Sequence, residues 1–432
     1  MRVGIVTTAG VTHQFRQWPE AILGRALVAR GHKVAAFTML EEGSDITGQA
    51  REDVDGIDTY RVKVYKPWVA PGLLAPLIRF RPDVIHLFHL RNALNWQAVL
   101  LARLLRVPVV FTVVGPFHDP YLVEDRERPY LGKMYPRRLI YSPRTLLKRL
   151  IAARFRKPLS IWQNFCMHFP LRAADRLIAL SRHEVAVLRV LGLDEGRRTE
   201  VDDGRWTMDD GRPSDSKSAI RNPQSKIVLI PLWIDVPYIR SIPYGPSLAQ
   251  EYPPPHVLFL GQLKERKGYD TLAQAMPLVL KKCPTATFLF AGQNPARAEH
   301  LLAICRENGS DGHLALLGRV SEEEKVRLMR GSDCLVYPTR YESFGLPPLE
   351  AMAASCPVVA TRLPVVSEMI QDGENGVLVE PENPQSLADG IVRVLTDPAL
   401  RARLVAGGQR ALARYDESRI IAEIEALYSS LL

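Results

Sequence analysis

Short apolar, β-prone runs alternate with helix-forming stretches along most of this chain, and the alternation occurs in two separate sets. A strand that returns through a helix to a neighbouring strand builds a parallel sheet with helices on its faces. The pattern therefore predicts an α/β protein with two doubly wound parallel-sheet domains. The predicted strands are 3–6, 33–38, 83–87, 107–112 and 175–180 in the first set, and 256–261, 286–292, 314–318, 334–337, 357–361 and 376–379 in the second.

The length of 432 residues also favours two domains, because it exceeds what one hydrophobic core usually supports. We expect an N-terminal domain at 1–240 and a C-terminal domain at 256–412. The segment 241–255 is rich in Pro, Gly and Tyr and is predicted to be a linker. Residues 413–432 form a separate terminal helix in this prediction. Within the first domain, 196–226 carries mixed charge and few apolar residues, which is typical of a disordered surface insertion.

The stretch from Tyr341 to Glu350 carries the clearest chemical signal. A short apolar run precedes it and a helical run follows it, so the order is strand, loop, helix. A helix start presents unpaired N–H groups and a positive dipole, which favour a bound phosphate. Gly345 would let the backbone approach that phosphate. Glu342 and Glu350 stand on either side of the loop, where one could face a sugar and the other a ribose.

Seven residues separate these two glutamates, and the string YESFGLPPLE resembles the E-x7-E signature of retaining glycosyltransferases of family 4. Chance alone also produces Glu pairs at this spacing in α/β proteins. The resemblance implies the GT-B fold, in which two Rossmann-like domains face a cleft and the chain end often crosses back onto the first domain. It implies transfer of a hexose, with retention, from a nucleotide-diphosphate sugar to a glycan or lipid-linked hydroxyl acceptor.

The resemblance also implies roles for individual residues in the second domain. Glu342 would contact the transferred sugar, and Glu350 would accept hydrogen bonds from the ribose. The residues whose backbone N–H groups would bind the diphosphate are Ser343, Phe344, Gly345 and Leu346.

A second loop, from Gly261 to Gly268, follows a predicted strand and precedes a predicted helix. A diphosphate leaving group needs cationic partners, and Lys267 is placed to supply one. Family 4 proteins usually carry Gly-Arg before this lysine, whereas Gln262 stands at the arginine position here. Arg266 or Lys264 could compensate, and the alternative is an ordinary basic surface turn.

Gly318 and Arg319 match a position that borders the nucleotide base in the family. The following Ser321 and its glutamates also form a plain capping box, which explains the residues without a ligand.

In the first domain the resemblance points to the acceptor side. The turn containing Gly10 leaves the first strand at its carboxyl end, where open α/β sheets bind ligands; it could equally be an ordinary turn. The family often has a histidine after a V-x-T strand, and Val114 occupies that place here. His118 lies four residues later, where it could reach the same cleft with Asp119 orienting its ring, or it could be only a turn residue.

The formal charge of +9 is compatible with nucleic acid, an anionic membrane or phosphate-bearing substrates. Basic side chains are dense between 126 and 165 and alternate with aromatic and aliphatic ones. This pattern is typical of a helix at a membrane interface and resembles the lipid-facing region of several family 4 enzymes, while a solvated basic face is the alternative. We expect an anionic membrane surface rather than nucleic acid as the partner.

The remaining composition argues against a cofactor and a membrane span. The five cysteines include no C-x-x-C pair, and the candidate loops lack clustered metal ligands, so we expect no metal. The apolar tract 98–117 is interrupted by Arg103, Arg106 and Pro108, and the chain opens on a strand rather than a signal peptide. We therefore expect a cytoplasmic protein, peripheral at the inner membrane face.

Two other functions stay open at this point. One is a nucleotide-sugar epimerase of the same fold, which should not need the E-x7-E site. The other is a catalytically silent sugar-nucleotide-binding protein, to which the departures at Gln262 and Val114 lend support.

Overall fold

A computed structural model describes residues 1–8, 10–13, 18–40, 49–66, 68–90, 92–114, 143–152, 158–190, 193–194, 225–292 and 294–432. The chain divides into two compact units. Unit 1 comprises Met1–Pro231 and Ile420–Leu432, and unit 2 comprises Leu232–Arg419. The segment 241–255, expected to be a linker, lies inside unit 2. Most of the insertion expected at 196–226 lies outside the described residues.

Unit 1 contains one eight-stranded sheet with helices between its strands. Its elements in chain order are β1 (Arg2–Val6), α1 (Pro19–Ala29), β2 (Lys33–Met39), β3 (Arg51–Val54), β4 (Ile57–Val62), α2 (Leu74–Phe80), β5 (Val84–Phe88), α3 (Asn95–Leu105), β6 (Val109–Thr112), α4 (Pro143–Ala152), α5 (Pro158–Ala173), β7 (Arg176–Ala179), α6 (Arg182–Val190) and β8 (Ile227–Leu229).

The strand order in unit 1 is β3-β4-β2-β1-β5-β6-β7-β8. Every described pair is parallel except β3 with β4, which is antiparallel. The chain runs outward from β1 in one direction through β2 and then continues from β5 in the other, so the direction switches between β1 and β5. Crevices for ligands form at such a switch, outside the carboxyl ends of the strands.

Unit 2 contains a six-stranded sheet that is parallel throughout, in the order β11-β10-β9-β12-β13-β14. Its switch point lies between β9 and β12. The elements are α7 (Val236–Ser241), β9 (His256–Leu260), α8 (Tyr269–Leu280), β10 (Thr287–Ala291), α9 (Pro295–Glu307), β11 (Leu314–Gly318), α10 (Glu322–Gly331), β12 (Cys334–Tyr337), α11 (Leu346–Ala353), β13 (Val358–Thr361), α12 (Pro364–Met369), β14 (Val377–Val379), α13 (Pro384–Thr396) and α14 (Pro398–Ala411).

The last helix, α15 (Glu417–Ser429), belongs to unit 1 from Ile420 onward. Its apolar face is buried at Ile420, Ile421, Ile424 and Tyr428. The hydroxyl of Tyr428 lies 2.5 Å from His86 Nδ1 on β5, and Glu425 pairs with His32 and Arg30 near the start of β2. These contacts fasten the chain end to the sheet of unit 1.

The two predicted doubly wound sheets are confirmed, and β3 is the one antiparallel addition to the described sheets. None of the described helices is both long enough and apolar enough to cross a bilayer.

Candidate functional site

The candidate site lies where the loops after β9 and β12 meet, at the switch point of unit 2. Gly268 ends the first loop with φ +70°, and a Cβ atom there would lie 1.9 Å from the carbonyl oxygen of Pro338. The backbone N–H of Arg340 and the hydroxyl of Thr339 both donate to the carbonyl of Arg266, at 2.8 and 3.0 Å. The loop that carries Lys267 is therefore held directly against the loop that carries Glu342.

Glu342 is the acceptor at the centre of this contact. Lys267 Nζ donates to its Oε2 atom, and Tyr337 Oη donates to the same oxygen at 2.6 Å. The guanidinium of Arg266 lies 3.7 Å away. Burial acts to raise the pKa of Glu342, but the charges of Lys267 and Arg266 and these hydrogen bonds outweigh it, so its pKa is lowered from 4.5. The carboxylate is thus ionised at neutral pH.

Helix α11 starts directly after this loop. Its N-cap is Gly345 at φ +100°, a left-handed conformation that favours glycine, and prolines occupy the first turn. Gly345 has no side chain with which to cap the helix, so the cap position is open for an anion. Ser343 and Phe344 are buried beside it, and the Phe344 ring packs edge-on against Tyr415 at 5.9 Å.

Glu350 is buried one helical turn further along α11, with 5% of its surface exposed. Lys325 Nζ on α10 lies 2.8 Å from Glu350 Oε1 and 2.7 Å from Glu322 Oε2. Burial acts to lower the pKa of Lys325, but the two carboxylates outweigh it and raise that pKa. Lys325 therefore carries a fixed positive charge that orients one oxygen of Glu350.

Gly318 and the exposed Arg319 lie at the end of β11, before α10. The capping interpretation is confirmed at Ser321, whose side chain accepts from the N–H of Glu324 at 3.1 Å. The Glu324 carboxylate does not close a capping box, because it accepts instead from the N–H of Leu248 at 2.7 Å.

Two family models match this chain. Residues 247–411 match glycosyl transferases group 1, and residues 21–202 match the glycosyl transferase 4-like domain. The chain belongs to the group 1 glycosyltransferases. The resemblance inferred from the E-x7-E string is therefore confirmed.

One relative of this glycosyltransferase is the phosphatidyl-myo-inositol mannosyltransferase of Mycobacterium tuberculosis. It is 38% identical over 186 residues, which are 40% of this chain and 47% of the relative. The chain spans about half the length of the curated relatives it matches.

Two solved structures show the same GT-B fold. Sucrose-phosphate synthase from Thermosynechococcus elongatus has a TM-score of 0.68 at 21% identity and covers 100% of this chain and 99% of its own. HepE from Anabaena, solved in complex with UDP-glucose, has a TM-score of 0.66 at 18% identity, with 100% of both chains covered.

Within the candidate site, unit 2 brings together Glu342, Lys267 and Arg266. Gly261 closes β9 and opens the loop that carries both cations. Of the two residues that could replace the missing arginine at 262, Arg266 lies beside Glu342, whereas Lys264 is exposed.

Sequence reasoning missed three residues that shape this site. Tyr337 contacts Glu342, and Lys325 contacts Glu350. The guanidinium of Arg340 donates to the Glu265 carbonyl at 2.8 Å and to the Asp270 carboxylate at 2.7 Å, which joins the loop that carries Glu342 to the Lys267 loop and to the first turn of α8. Lys325 carried a local signal, since it lies three residues after Glu322 on a helix.

In unit 1, His118 and Asp119 lie outside the described residues. Gly10 is described, and a Cβ atom there would lie 1.8 Å from Glu20 Oε1, so this glycine leaves room for a buried carboxylate.

The basic stretch 126–165 is described only at 143–152 and from 158 onward. On α4 the side chains of Leu147 and Ile151 are 56% and 58% exposed. Trp162 and Phe165, further along, instead pack with Trp96 and Phe169 in a small apolar cluster of unit 1. These two aromatic residues therefore help to form a core.

Proposed function

We propose that this protein transfers a hexose from a nucleoside-diphosphate sugar to a hydroxyl acceptor, with retention of configuration, and that unit 2 binds the donor. The observation that carries the proposal is the meeting of Lys267, Glu342 and the open N-terminus of α11 at one switch point. This arrangement offers a diphosphate the Lys267 ammonium and a set of backbone N–H groups.

The diphosphate would lie on the N–H groups of Ser343, Phe344, Gly345 and Leu346, with Lys267 and Arg266 as its cationic partners. Binding would draw the Lys267 ammonium from Glu342 towards the phosphates, which releases the carboxylate to contact the transferred sugar. The second oxygen of Glu350 would accept from the ribose, and Gly318 and Arg319 would border the base.

The retaining step needs little covalent chemistry from the protein. The departing phosphate oxygen would take the proton of the acceptor on the same face of the sugar, while the fixed charges support the oxocarbenium character of the transition state. No residue of the chain forms a bond to the sugar in this scheme. We expect no metal, because Lys267 and Arg266 would supply the positive charge.

The acceptor would be a glycan or lipid-linked alcohol bound on unit 1, with His118, Asp119 and the turn at Gly10 on that side.

Helix α4 suits an anionic membrane surface. Its exposed Leu147 and Ile151 lie next to the exposed Arg144 and Lys148. Binding to phosphatidylglycerol vesicles should weaken with salt and with a Leu147→Ser and Ile151→Ser double variant. Binding that neither change affects would remove the membrane from the proposal.

The direct test incubates the protein with labelled UDP-, GDP- and ADP-hexoses and a lipid extract, and determines the anomeric configuration of the product by NMR. Transfer with retention supports the proposal, and inversion contradicts the mechanism. An epimerised donor would indicate the epimerase, and donor binding without turnover would indicate a silent homologue. UDP-sugars come first in the panel, because HepE binds UDP-glucose in its solved structure.

A further inference from the structure

The switch point of unit 1 holds a hydrogen-bonded carboxylate and imidazole that the donor site does not use. Glu20 lies in the first turn of α1, and His89 directly follows β5. His89 Nε2 lies 2.8 Å from Glu20 Oε1, and Thr7, directly after β1, donates its hydroxyl to the same oxygen at 2.6 Å. Three segments of unit 1 therefore converge at the carboxyl ends of its two central strands.

Glu20 is completely buried, which is rare for a carboxylate without a specific partner. Its Oε2 atom is also buried and has no hydrogen-bond partner among the described residues. Burial acts to raise the pKa of Glu20, but its pairing with His89 and the hydrogen bonds from His89 and Thr7 outweigh it, so its pKa is lowered from 4.5. The carboxylate is therefore ionised.

His89 is held in place by its backbone as well as by its ring. Its φ of +61° is left-handed, which is uncommon for a residue other than glycine and costs about 1 kcal/mol or more. The side chain of the buried Asn95 donates to the His89 carbonyl at 2.9 Å and so fixes this conformation. Trp18 packs edge-on against the ring at 6.3 Å. A strained backbone conformation that neighbouring side chains hold in place is typical of functional sites.

The partner of Nε2 determines what the other ring nitrogen can do. A carboxylate only accepts hydrogen bonds, so Nε2 must carry a hydrogen. In the neutral ring Nδ1 then has a free lone pair, and no described residue donates to it. The His89 side chain is 21% exposed. A group reaching this surface would therefore find an oriented hydrogen-bond acceptor, which suits a hydroxyl.

We propose that Glu20 and His89 form a hydroxyl-binding site in unit 1, in which His89 Nδ1 accepts a hydrogen bond from the alcohol acceptor of the sugar transfer. Glu20 is a positioning residue that holds the ring in the required tautomer. Gly10 belongs to the same site, since a larger residue would displace the Glu20 carboxylate. The proposal rests on the proposed function.

The kinetic test compares His89→Gln and Glu20→Gln with a matched control, His32→Gln. His32 Nε2 also lies against a glutamate, Glu425, at 2.7 Å, but it precedes β2 at the opposite end of the strands. We expect His89→Gln to raise the acceptor KM about tenfold or more, with donor KM and donor hydrolysis within about two-fold of wild type. Glu20→Gln should also raise the acceptor KM. His32→Gln should leave the acceptor KM and the donor KM unchanged. Unchanged transfer in His89→Gln, or an equal fall in transfer and hydrolysis, would overturn the site.

A second measurement does not depend on turnover. In NMR spectra of protein with isotope-labelled histidine, added glycerol as a probe alcohol should shift the His89 Nδ1 resonance saturably and leave the His32 resonance in place. Absence of this response overturns the proposal. A normal response in a wild-type protein that transfers no sugar would instead contradict the proposed function alone.

Discussion

Lys267 and Glu342 form an ion pair across the switch point of unit 2, although 75 positions separate them in the chain. Their side chains are 16% and 13% exposed, so water solvates neither charge well. The pair closes the contact between the two loops of the candidate site. Removal of Lys267 leaves the Glu342 carboxylate with the more distant Arg266, and removal of Glu342 leaves two neighbouring cations without the carboxylate that they share.

The first prediction concerns Lys267→Met. We expect donor turnover to fall by about tenfold or more, because the diphosphate of the donor would lose the Lys267 ammonium. Unfolding in urea should show a loss of about 3 kcal/mol of stability, because Glu342 becomes a partly buried charge without its nearest partner. The lowered pKa of Glu342 means that the ion pair stabilises the folded state above about pH 4.5. The loss of stability in Lys267→Met should therefore disappear as the pH falls through the folded-state pKa of Glu342.

The double variant Lys267→Met with Glu342→Gln separates the two effects. It should recover much of the stability but none of the turnover, and the exposed Lys282→Met serves as the control that changes neither. Full turnover in the double variant would contradict a direct role for the ammonium in donor binding.

The second prediction concerns Lys325, which holds one oxygen of Glu350 at 2.8 Å. If the other oxygen binds the ribose, Lys325→Met should weaken binding of the preferred nucleoside diphosphate by about tenfold and affect its deoxyribose analogues much less. Isothermal titration calorimetry on wild type, Lys325→Met and Lys282→Met measures this ratio. An equal loss for ribose and deoxyribose forms would show that Lys325 acts on the fold rather than on ribose recognition.

The two sheets were predictable from the sequence because strands buried on both faces are continuous apolar runs, as in Val84–Phe88 and His256–Leu260. The hairpin of β3 and β4 was not predicted. Strand β3 reads REDV and is mostly charged, because it lies at the edge of the sheet with its side chains largely exposed. Its place depends on pairing with β4 rather than on an apolar pattern of its own.

The candidate site of unit 2 was predictable to the extent that its residues share one motif. Glu342, Gly345 and Glu350 are close in the chain, and Lys267 follows a strand in a recognisable loop. Lys325 and His89 were missed because Glu350 and Glu20, the buried carboxylates that they contact, are 25 and 69 positions away. The local pair of Lys325 with Glu322 indicates only a helix face, and nothing near either residue in the chain indicates a buried carboxylate beside it.

The third prediction concerns His86, which lies between Tyr428 Oη at 2.5 Å and Thr112 Oγ1 at 2.6 Å. Burial lowers its pKa from 6.5 to about 3. The unfolded chain therefore binds a proton at a higher pH than the folded one. Above about pH 6.5, His86 does not change the free energy of unfolding. At lower pH this free energy should fall by roughly 1.4 kcal/mol per pH unit until the folded-state pKa of His86 is reached.

Other groups also titrate in this range, including the buried His168, whose pKa burial lowers to about 4. The measurement is therefore the difference between wild type and His86→Gln, from urea unfolding at several pH values. His86→Gln should be less stable at neutral pH and should show a shallower loss on acidification. Parallel curves for the two proteins would show that His86 is not the group responsible.

The final prediction concerns the contact between Gly268 and Pro338. Gly268→Ala combines a left-handed backbone with a clash, because the new Cβ would lie 1.9 Å from the Pro338 carbonyl oxygen.

Gly309→Ala is a matched control, with φ +76° but no atom within 4 Å of the new Cβ. We expect Gly309→Ala to cost about 1 kcal/mol from backbone strain alone. Gly268→Ala should cost about 3 kcal/mol and also lower donor affinity, because the Lys267 loop must move away from Glu342. Thermal unfolding and donor titration of both variants measure the two effects, and equal costs would mean that the close approach of the loops does not contribute to the site.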